Sequence, residues 1–337
     1  MTVRINKPPI DLRSKLSELE RPIGLKGGEL MATETLQDAR ELIGAGRKNL
    51  FFNGCFRFFQ RDNDHDNTGN GWGYYAADRW LTNKSRTRQV DVTIEGISYK
   101  AIEISPSADG TYNGGRGIIQ RVEDYANIYQ RPTVLSFYIK SSAPSDVEVG
   151  RLFDSGSGSY PGPSVRTDSV FTRVEYELPT FNPVNQVDNY LVNGLDDGIT
   201  YTIANAQLEF GGVATPFEHR TFGEELELCQ RYFEKTYTVT VNPGTVTGSG
   251  AEVIDFNGGN TSIVRKGIRF KTRKRTAPTV TFYNPSTGAT GSARTNSGTT
   301  DTNLNGPFDN GQSGCFVDTN PSAGEFCRFH WAAGAEI

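Results

Sequence analysis

Three groups of residues in this 337-residue chain have the types and spacing to do chemistry. The first is Asp62, Asp64 and Asp66. Alternating carboxylates offer hard oxygen ligands, and they repel one another unless a cation or solvent screens them, so the run is a candidate Ca²⁺ site. It does not follow the EF-hand pattern, because Asn67 stands at the sixth position and Gly73 at the twelfth. A solvated turn is the alternative. The second group is the aromatic set Trp72, Tyr74, Tyr75 and Trp80. Aromatic rings stack on the C–H faces of sugars, while nearby Asp and Asn bond hydroxyls. Trp80 is expected in a core. Trp72 and Tyr74, separated by Gly73, are candidate glycan-binding residues or loop aromatics pinned to their own domain. The third group spans the Gly-, Asn-, Thr- and Ser-rich stretch 284–314, read as a long loop. Tyr283 and Phe308 offer stacking faces there, and Asn284, Asp301, Asn303 and Asn305 offer hydrogen-bonding groups. Polar loops on a rigid scaffold often carry binding, although a solvent-exposed tip reads the same way.

Enzyme chemistry finds little to work with. There is no G-x-S-x-G elbow, H-E-x-x-H pair or phosphate-binding loop. His65, His219 and His330 lie far apart, and His219 is expected to be structural. Glycan cleavage needs two carboxylates at a defined separation, and 39 Asp plus Glu leave that alternative open. The expectation is a non-enzyme without a cofactor, Ca²⁺ being the one candidate ion.

Composition narrows the class further. With 35 Lys plus Arg against 39 Asp plus Glu, the net charge of -4 gives no basic face for nucleic acid. The local run Arg265 to Arg275 reads as edge charges on a solvated strand. No stretch approaches the ~20 apolar residues that span a bilayer, so no membrane insertion is expected. The N-terminus lacks the apolar core of a signal peptide, which predicts folding in a cytoplasm. Cys55, Cys229, Cys315 and Cys327 form no C-x-x-C pair. Cys315 and Cys327 could meet across a hairpin, but a reducing compartment favours free thiols.

The elements that must position these groups change character near residue 47. Before it, Leu12, Leu16 and Leu19, then Leu36, Ala39, Leu42 and Ile43, recur at helical spacing. Two short amphipathic helices cannot bury their apolar sides alone, so 1–47 is expected to dock on a partner surface or to cover the first domain. After it, Thr133–Ile139, Phe171–Leu178 and Thr200–Glu209 alternate as strands. Gly, at 37 residues, together with Pro, Ser and Asn, punctuates them. A helix is predicted over 224–233, followed by strands at Thr236–Val241, Ser262–Val264, Gly267–Phe270, Thr279–Tyr283 and near the C-terminus. The organisation predicted is mainly β: a jelly-roll-like β-sandwich at 48–222 and a smaller C-terminal β domain at 223–337, after a helical or extended segment at 1–47.

Several phrases resemble bacteriophage and prophage tail-fibre proteins. Asn49-Leu50-Phe51-Phe52-Asn53-Gly54 through Gln60-Arg61 is similar to an opening strand of that family, and Tyr75-Ala76-Ala77-Asp78-Arg79-Trp80 to the element after it. Gln207-Leu208-Glu209-Phe210-Gly211 through Thr215-Pro216-Phe217-Glu218, followed by Leu228-Cys229-Gln230-Arg231-Tyr232-Phe233, is the most specific match. Phe329 to Ile337 resembles the family's ending. The resemblance implies a sandwich akin to carbohydrate-binding modules, in a homotrimeric component of a phage particle made in a bacterial host. It also implies a host-surface glycan as ligand. The N-terminal segment would then dock on other phage structural proteins through Leu12, Leu16, Leu19, Leu36, Leu42 and Ile43. A head fibre, decoration protein or tail adaptor with a purely structural role is the first alternative, and a polysaccharide hydrolase the second.

Overall fold

In Thr133–Ser141 the residues Leu135, Phe137 and Ile139 are buried, while Ser136, Tyr138 and Lys140 occupy the positions between them. A pleated strand sends these two sets to opposite faces, and period-two alternation of this kind builds the molecule. The computed structural model describes residues 48–68, 71–74, 76–107, 116–123, 128, 131–153, 158–181, 186–255, 263–296, 300–320 and 326–336. Every element below lies in the unit Asn49–Ile337. Leu12, Leu16, Leu19, Leu36, Leu42 and Ile43 lie outside the described residues.

The first part holds strands β1 (Asp64–Asp66), β2 (Trp80–Asn83), β3 (Ser85–Ile94), β4 (Ile97–Pro106), β5 (Gly117–Arg121) and β6 (Thr133–Ser141). It continues through β7 (Ser145–Phe153), β8 (Gly158–Thr167), β9 (Thr172–Leu178), β10 (Val187–Asn193) and β11 (Tyr201–Phe210). They form two antiparallel sheets, ordered β1-β3-β4-β11-β6-β9 and β2-β5-β10-β7-β8. One core joins them: Ile102, Leu135, Phe137, Ile203 and Leu208 from the six-stranded sheet meet Ile118, Val147, Val149, Leu191 and Val192 from the five-stranded one. This is a jelly-roll-like β-sandwich.

Helix α1 (Phe222–Gln230) follows. Thr221 and Glu224 form a reciprocal capping box, and Glu224 and Glu225 lie in the first turn, where the helix dipole favours negative charge. The second part holds β12 (Phe233–Lys235), β13 (Glu252–Asp255), β14 (Val264–Arg269), β15 (Thr279–Tyr283) and β16 (Ser292–Thr295), then β17 (Asp301–Gly311), β18 (Gly314–Thr319) and β19 (Phe326–Gly334). β19 is the hub, pairing with β12, β13, β15 and β16. Its Cys327, Phe329, Trp331 and Ala333 pack with Ile268, Val280, Phe282 and Val317 in a smaller core.

Three expectations are corrected here. Asn49–Arg61 is not a strand but an irregular buried segment, because its Phe51, Phe56, Phe58 and Phe59 are all buried and do not alternate. Thr236–Val241 is a set of turns rather than a strand. The reason is the buried Lys235, whose Nζ donates to the carbonyls of Gln60 (2.5 Å), Val239 (3.0 Å) and Val241 (2.6 Å) and so curls the chain around itself. Burial pushes that ammonium down to about 8. The stretch 284–314 is not a loop: β17 runs through it and returns as β18. Leu304 is the buried residue of β17, so no hydrophobic alternation announced the strand. Cys315 and Cys327 are both buried free thiols.

Candidate binding cleft

The outward face of the six-stranded sheet carries aromatics where a solvated strand would be polar. Tyr99 of β4, Tyr138 of β6 and Phe171 beside β9 stand over Val90, Val92, Ala101 and Ala204. The sheet is bulged beneath them. Ala204 pairs with Tyr138 and Gln207 with Ser136, so Asn205 and Ala206 together oppose the single residue Phe137. A bulge re-aims side chains. Ala206 joins the core, while Asn205 lines the outer face with a backbone φ of 52°, a left-handed conformation that Asn tolerates better than other non-glycine residues.

The segment Asn49–Gly54 holds the bulge in place. β4 pairs with β11 through Ile203, and the Asn49–Gly54 segment takes over beyond it. Ala206 N donates to Gly54 O (2.8 Å), Leu50 N to Leu208 O (2.7 Å) and Asn49 Nδ2 to Ala206 O (3.0 Å). A Cβ on Gly54 would lie 2.1 Å from Ala206 O, so this approach requires glycine.

The connection after β11 then folds back as a wall. Glu209 accepts from Thr215 N (2.7 Å) and Thr215 Oγ1 (2.6 Å), and Gln207 Oε1 accepts from Glu218 N (2.8 Å). Arg173 Nη2 donates to Thr215 O (2.7 Å). These bonds tie Gln207, Glu209, Thr215 and Glu218 into one unit. They present Pro216, Phe217 and His219 to the sheet, with His219 stacked on Tyr99 (5.9 Å between ring centroids, 10° between planes) and edge-on to Phe217 (5.0 Å).

Between wall and sheet lies a cavity of about 230 Å³, lined by Tyr99, Ser136, Tyr138, Arg173, Asn205, Pro216, Phe217 and His219. Ser136 and Asn205 are buried. Asn205 is 5% exposed, and its Oδ1 has no hydrogen-bond partner in the chain. An unpaired buried polar atom costs ~1–3 kcal/mol, which a donor from a ligand would offset. Arg173 holds its Nε 3.2 Å from Glu175. Aromatic walls over buried amide and hydroxyl groups suit a ring-shaped, hydroxyl-rich ligand.

The structure brings none of the sequence-derived candidates into this cleft. Trp72 and Tyr74 pack half-buried on Leu81, Ile119 and Tyr190, outside the five-stranded sheet. Tyr74 lies between the guanidinium groups of Arg61 (6.0 Å) and Arg79 (5.6 Å), and burial raises its phenol. Trp80 is fully buried against Phe51 and Phe56, as expected. Tyr75 is outside the described residues. Tyr283 is half-buried, edge-on to Tyr237 (6.1 Å). Asn284 is corrected from ligand candidate to turn residue: it is fully buried, and its Oδ1 accepts from Ser286 N (2.9 Å) and Thr287 N (3.2 Å). Asp301 pairs with Arg294 (3.0 Å), and Asn303, Asn305 and Phe308 are exposed on β17.

The aspartate run does not converge on a point. Asp64 is held bidentate by Arg86 (2.8 and 2.7 Å), whose hydrogen bonds keep its carboxyl below the usual range. Asp62 turns to Asn242 (3.0 Å) and His65 (3.3 Å), and Asp66 is exposed. Among the described residues, no group of three or more His, Cys, Asp and Glu is placed to hold a metal ion.

Tyr99, Tyr138, Asn205, Phe217 and His219 were missed as site residues. A tyrosine at the outward position of an otherwise alternating strand, as at Tyr138, was the available signal.

No family model and no curated protein matches this chain. Solved structures are similar to parts of it. The CBM22-1 xylan-binding domain of Paenibacillus barcinonensis Xyn10C is 12% identical, with a TM-score of 0.31, over 40% of this chain and 87% of that one. The C-terminal family 22 carbohydrate-binding module of Clostridium thermocellum Xyn10B is 10% identical, with a TM-score of 0.32, over 48% and 98%. The enzymatically active domain of tailspike protein 4 of bacteriophage CBA120 is 14% identical, with a TM-score of 0.33, over 48% of this chain and 21% of that one. Each is a partial likeness of shape.

Proposed function

We propose that the chain is a non-catalytic glycan-binding component of a phage particle, holding a host-surface sugar in the cleft on its six-stranded sheet. One observation carries the binding reading: the rings of Tyr99 and Tyr138 line one cavity together with a buried Asn205 whose amide oxygen has no partner in the chain. Among the described residues lining the cavity there is no carboxylate, whereas glycoside hydrolysis uses a pair of them. That favours binding over cleavage. The particle assignment rests on the sequence phrases shared with tail-fibre proteins, above all Gln207–Glu218. The homotrimer and the docking of segment 1–47 on other phage structural proteins belong to the same reading. Three linked copies would turn weak single sites into firm attachment through effective concentration.

The test is full-length labelled protein on an array of bacterial surface polysaccharides and their oligosaccharides. Saturable binding to a subset, weakened at least ~10-fold by Tyr99→Ala or Tyr138→Ala, is the expected outcome; the loss corresponds to roughly 1.4 kcal/mol. Folded wild-type protein that binds no glycan would end the adhesin reading and leave a structural particle component. Release of sugar fragments would replace it with a hydrolase.

A further inference from the structure

A second feature, remote in the fold from the cleft, lies on the outer face of β17 and β18. Phe308 and Phe316 are register partners there, 38% and 40% exposed. Gly267 of β14 is paired with Phe316, and a Cβ at Gly267 would sit 3.4 Å from the Phe316 ring. The ring thus borders a residue with no side chain. Arg265 flanks both rings, its guanidinium 5.2 Å from the Phe308 centroid and 5.9 Å from that of Phe316. Asp318 fixes that guanidinium by two bonds of 2.7 and 2.9 Å. Asn305 is exposed on β17 as the register partner of Asp318. Register breaks between Asn305 and Phe308 and between Phe308 and Gly311 set Phe308 apart from the regular pleat, as bulges that re-aim a side chain do.

Exposed phenylalanines on a sheet face are costly, and a partner of fitting size removes that cost. The two rings expose about 150 Å² together, taking ~200 Å² per aromatic side chain. A stable protein interface takes ~800 Å² from each partner, roughly half of it apolar, and these rings supply well under that apolar share. A sugar ring covers an area of this order, and a rim of guanidinium, carboxylate and amide groups supplies bonds to its hydroxyls.

We propose that Phe308 and Phe316, with Arg265, Asp318 and Asn305 at the rim, form a second carbohydrate site: a flat platform that stacks on a pyranose ring. It stands independently of the cleft, so one chain would carry two sugar contacts of different shape.

The test is saturation-transfer NMR on the full chain with methyl β-glucopyranoside, methyl β-galactopyranoside, methyl α-mannopyranoside and N-acetylglucosamine as probes. In Tyr138→Ala, which impairs the cleft, transfer to the C–H protons of at least one probe persists. Adding Phe308→Ala and Phe316→Ala lowers it roughly tenfold, and Phe308→Tyr with Phe316→Tyr retains it. Both rings are surface groups, and an unchanged amide spectrum checks folding. Transfer undiminished by the double alanine change overturns the platform. So does the absence of transfer from every probe in Tyr138→Ala; if wild type still shows transfer, the cleft reading survives. Concentration-dependent self-association abolished by the double alanine change also overturns it, reassigning the face to contact between copies.

Discussion

The two sheets of the sandwich both carry aromatic residues on their outer faces, and they use them in opposite ways. Outside the five-stranded sheet, Trp72 and Tyr74 are packed onto Leu81, Ile119 and Tyr190, and Tyr74 has cations on hand at Arg61 and Arg79. Outside the six-stranded sheet, Tyr99 and Tyr138 border a cavity whose floor holds an unpaired amide oxygen. Aromatic content does not separate the two faces. What separates them is whether the chain satisfies its own groups. The first face is closed by internal partners, and the second has polar and apolar groups still to be matched.

The closure of the first face extends to the chain's far end. Glu336 accepts from Arg79 (2.5 Å) and from Arg61 (2.6 Å), and Arg79 also lies 3.6 Å over the Tyr232 ring. Removing one partner of a buried ion pair leaves the other charge unmatched. Arg79, 1% exposed in its side chain, is therefore the most damaging position to test. Arg79→Ala is expected to lower stability by about 3–5 kcal/mol in chemical denaturation, the cost of breaking a buried pair. A loss below ~1 kcal/mol would show that the face is not closed in this way.

The next effect crosses the comparison. Trp72→Ala is expected to cost about 2 kcal/mol of stability, the scale of truncating a half-buried aromatic, and to leave glycan binding unchanged. Tyr138→Ala, also a half-buried ring, is expected to weaken binding about tenfold at a stability cost of about 2 kcal/mol or less. Denaturation curves and binding isotherms on the same two variants check both. Binding lost in Trp72→Ala would transfer the site to the other sheet.

Asn205 sharpens the contrast within the cleft. Asn205→Gly relieves the left-handed backbone and removes the unpaired amide, so stability is expected to hold within ~1 kcal/mol while affinity falls several-fold. Asn205→Ala loses the same amide but keeps the strained φ, and is expected to be the less stable of the two by roughly 1 kcal/mol. Equal affinity in wild type and Asn205→Gly would remove this residue from the site.

The smallest effect is electrostatic and lies at the β17–β18 face. The hydrogen bonds from Arg265 hold the Asp318 carboxyl below its ordinary 3.8. A carboxylate lowered in the folded state adds stability above its unfolded pKa and loses it as pH falls through the folded one. An NMR titration is therefore expected to place the Asp318 midpoint below 3.8, and Arg265→Ala to return it upward. An unchanged midpoint in that variant would mean that Arg265 does not hold Asp318 in solution.

Legibility followed burial. Strands such as Thr133–Ser141 were readable because one face is core and the alternation shows it. β17 was unreadable because Leu304 is its buried residue, and a strand that sends one side chain into the core looks like a loop. Thr236–Val241 failed in the opposite direction: its β-branched residues suit a strand, but the buried Lys235 ammonium captures their carbonyls first. The resemblance motif Gln207–Glu218 was legible as a phrase, and its reason, two side chains tethering a returning wall, was not.

By itself the sequence determined the class of the fold, the helix that follows the sandwich, and the burial of Trp80, because local propensity and period-two patterning act over a few residues. Only the tertiary structure decided which aromatics face a cavity. Tyr99, Tyr138 and Asn205 are separated by tens of residues along the chain, and the pairing of β4, β6 and β11 brings them together, while His219 arrives on the wall that folds back after β11. Their chemistry depends on which partners the fold supplies and which it leaves out. Pairing across such distances is set by global packing, which no local pattern encodes.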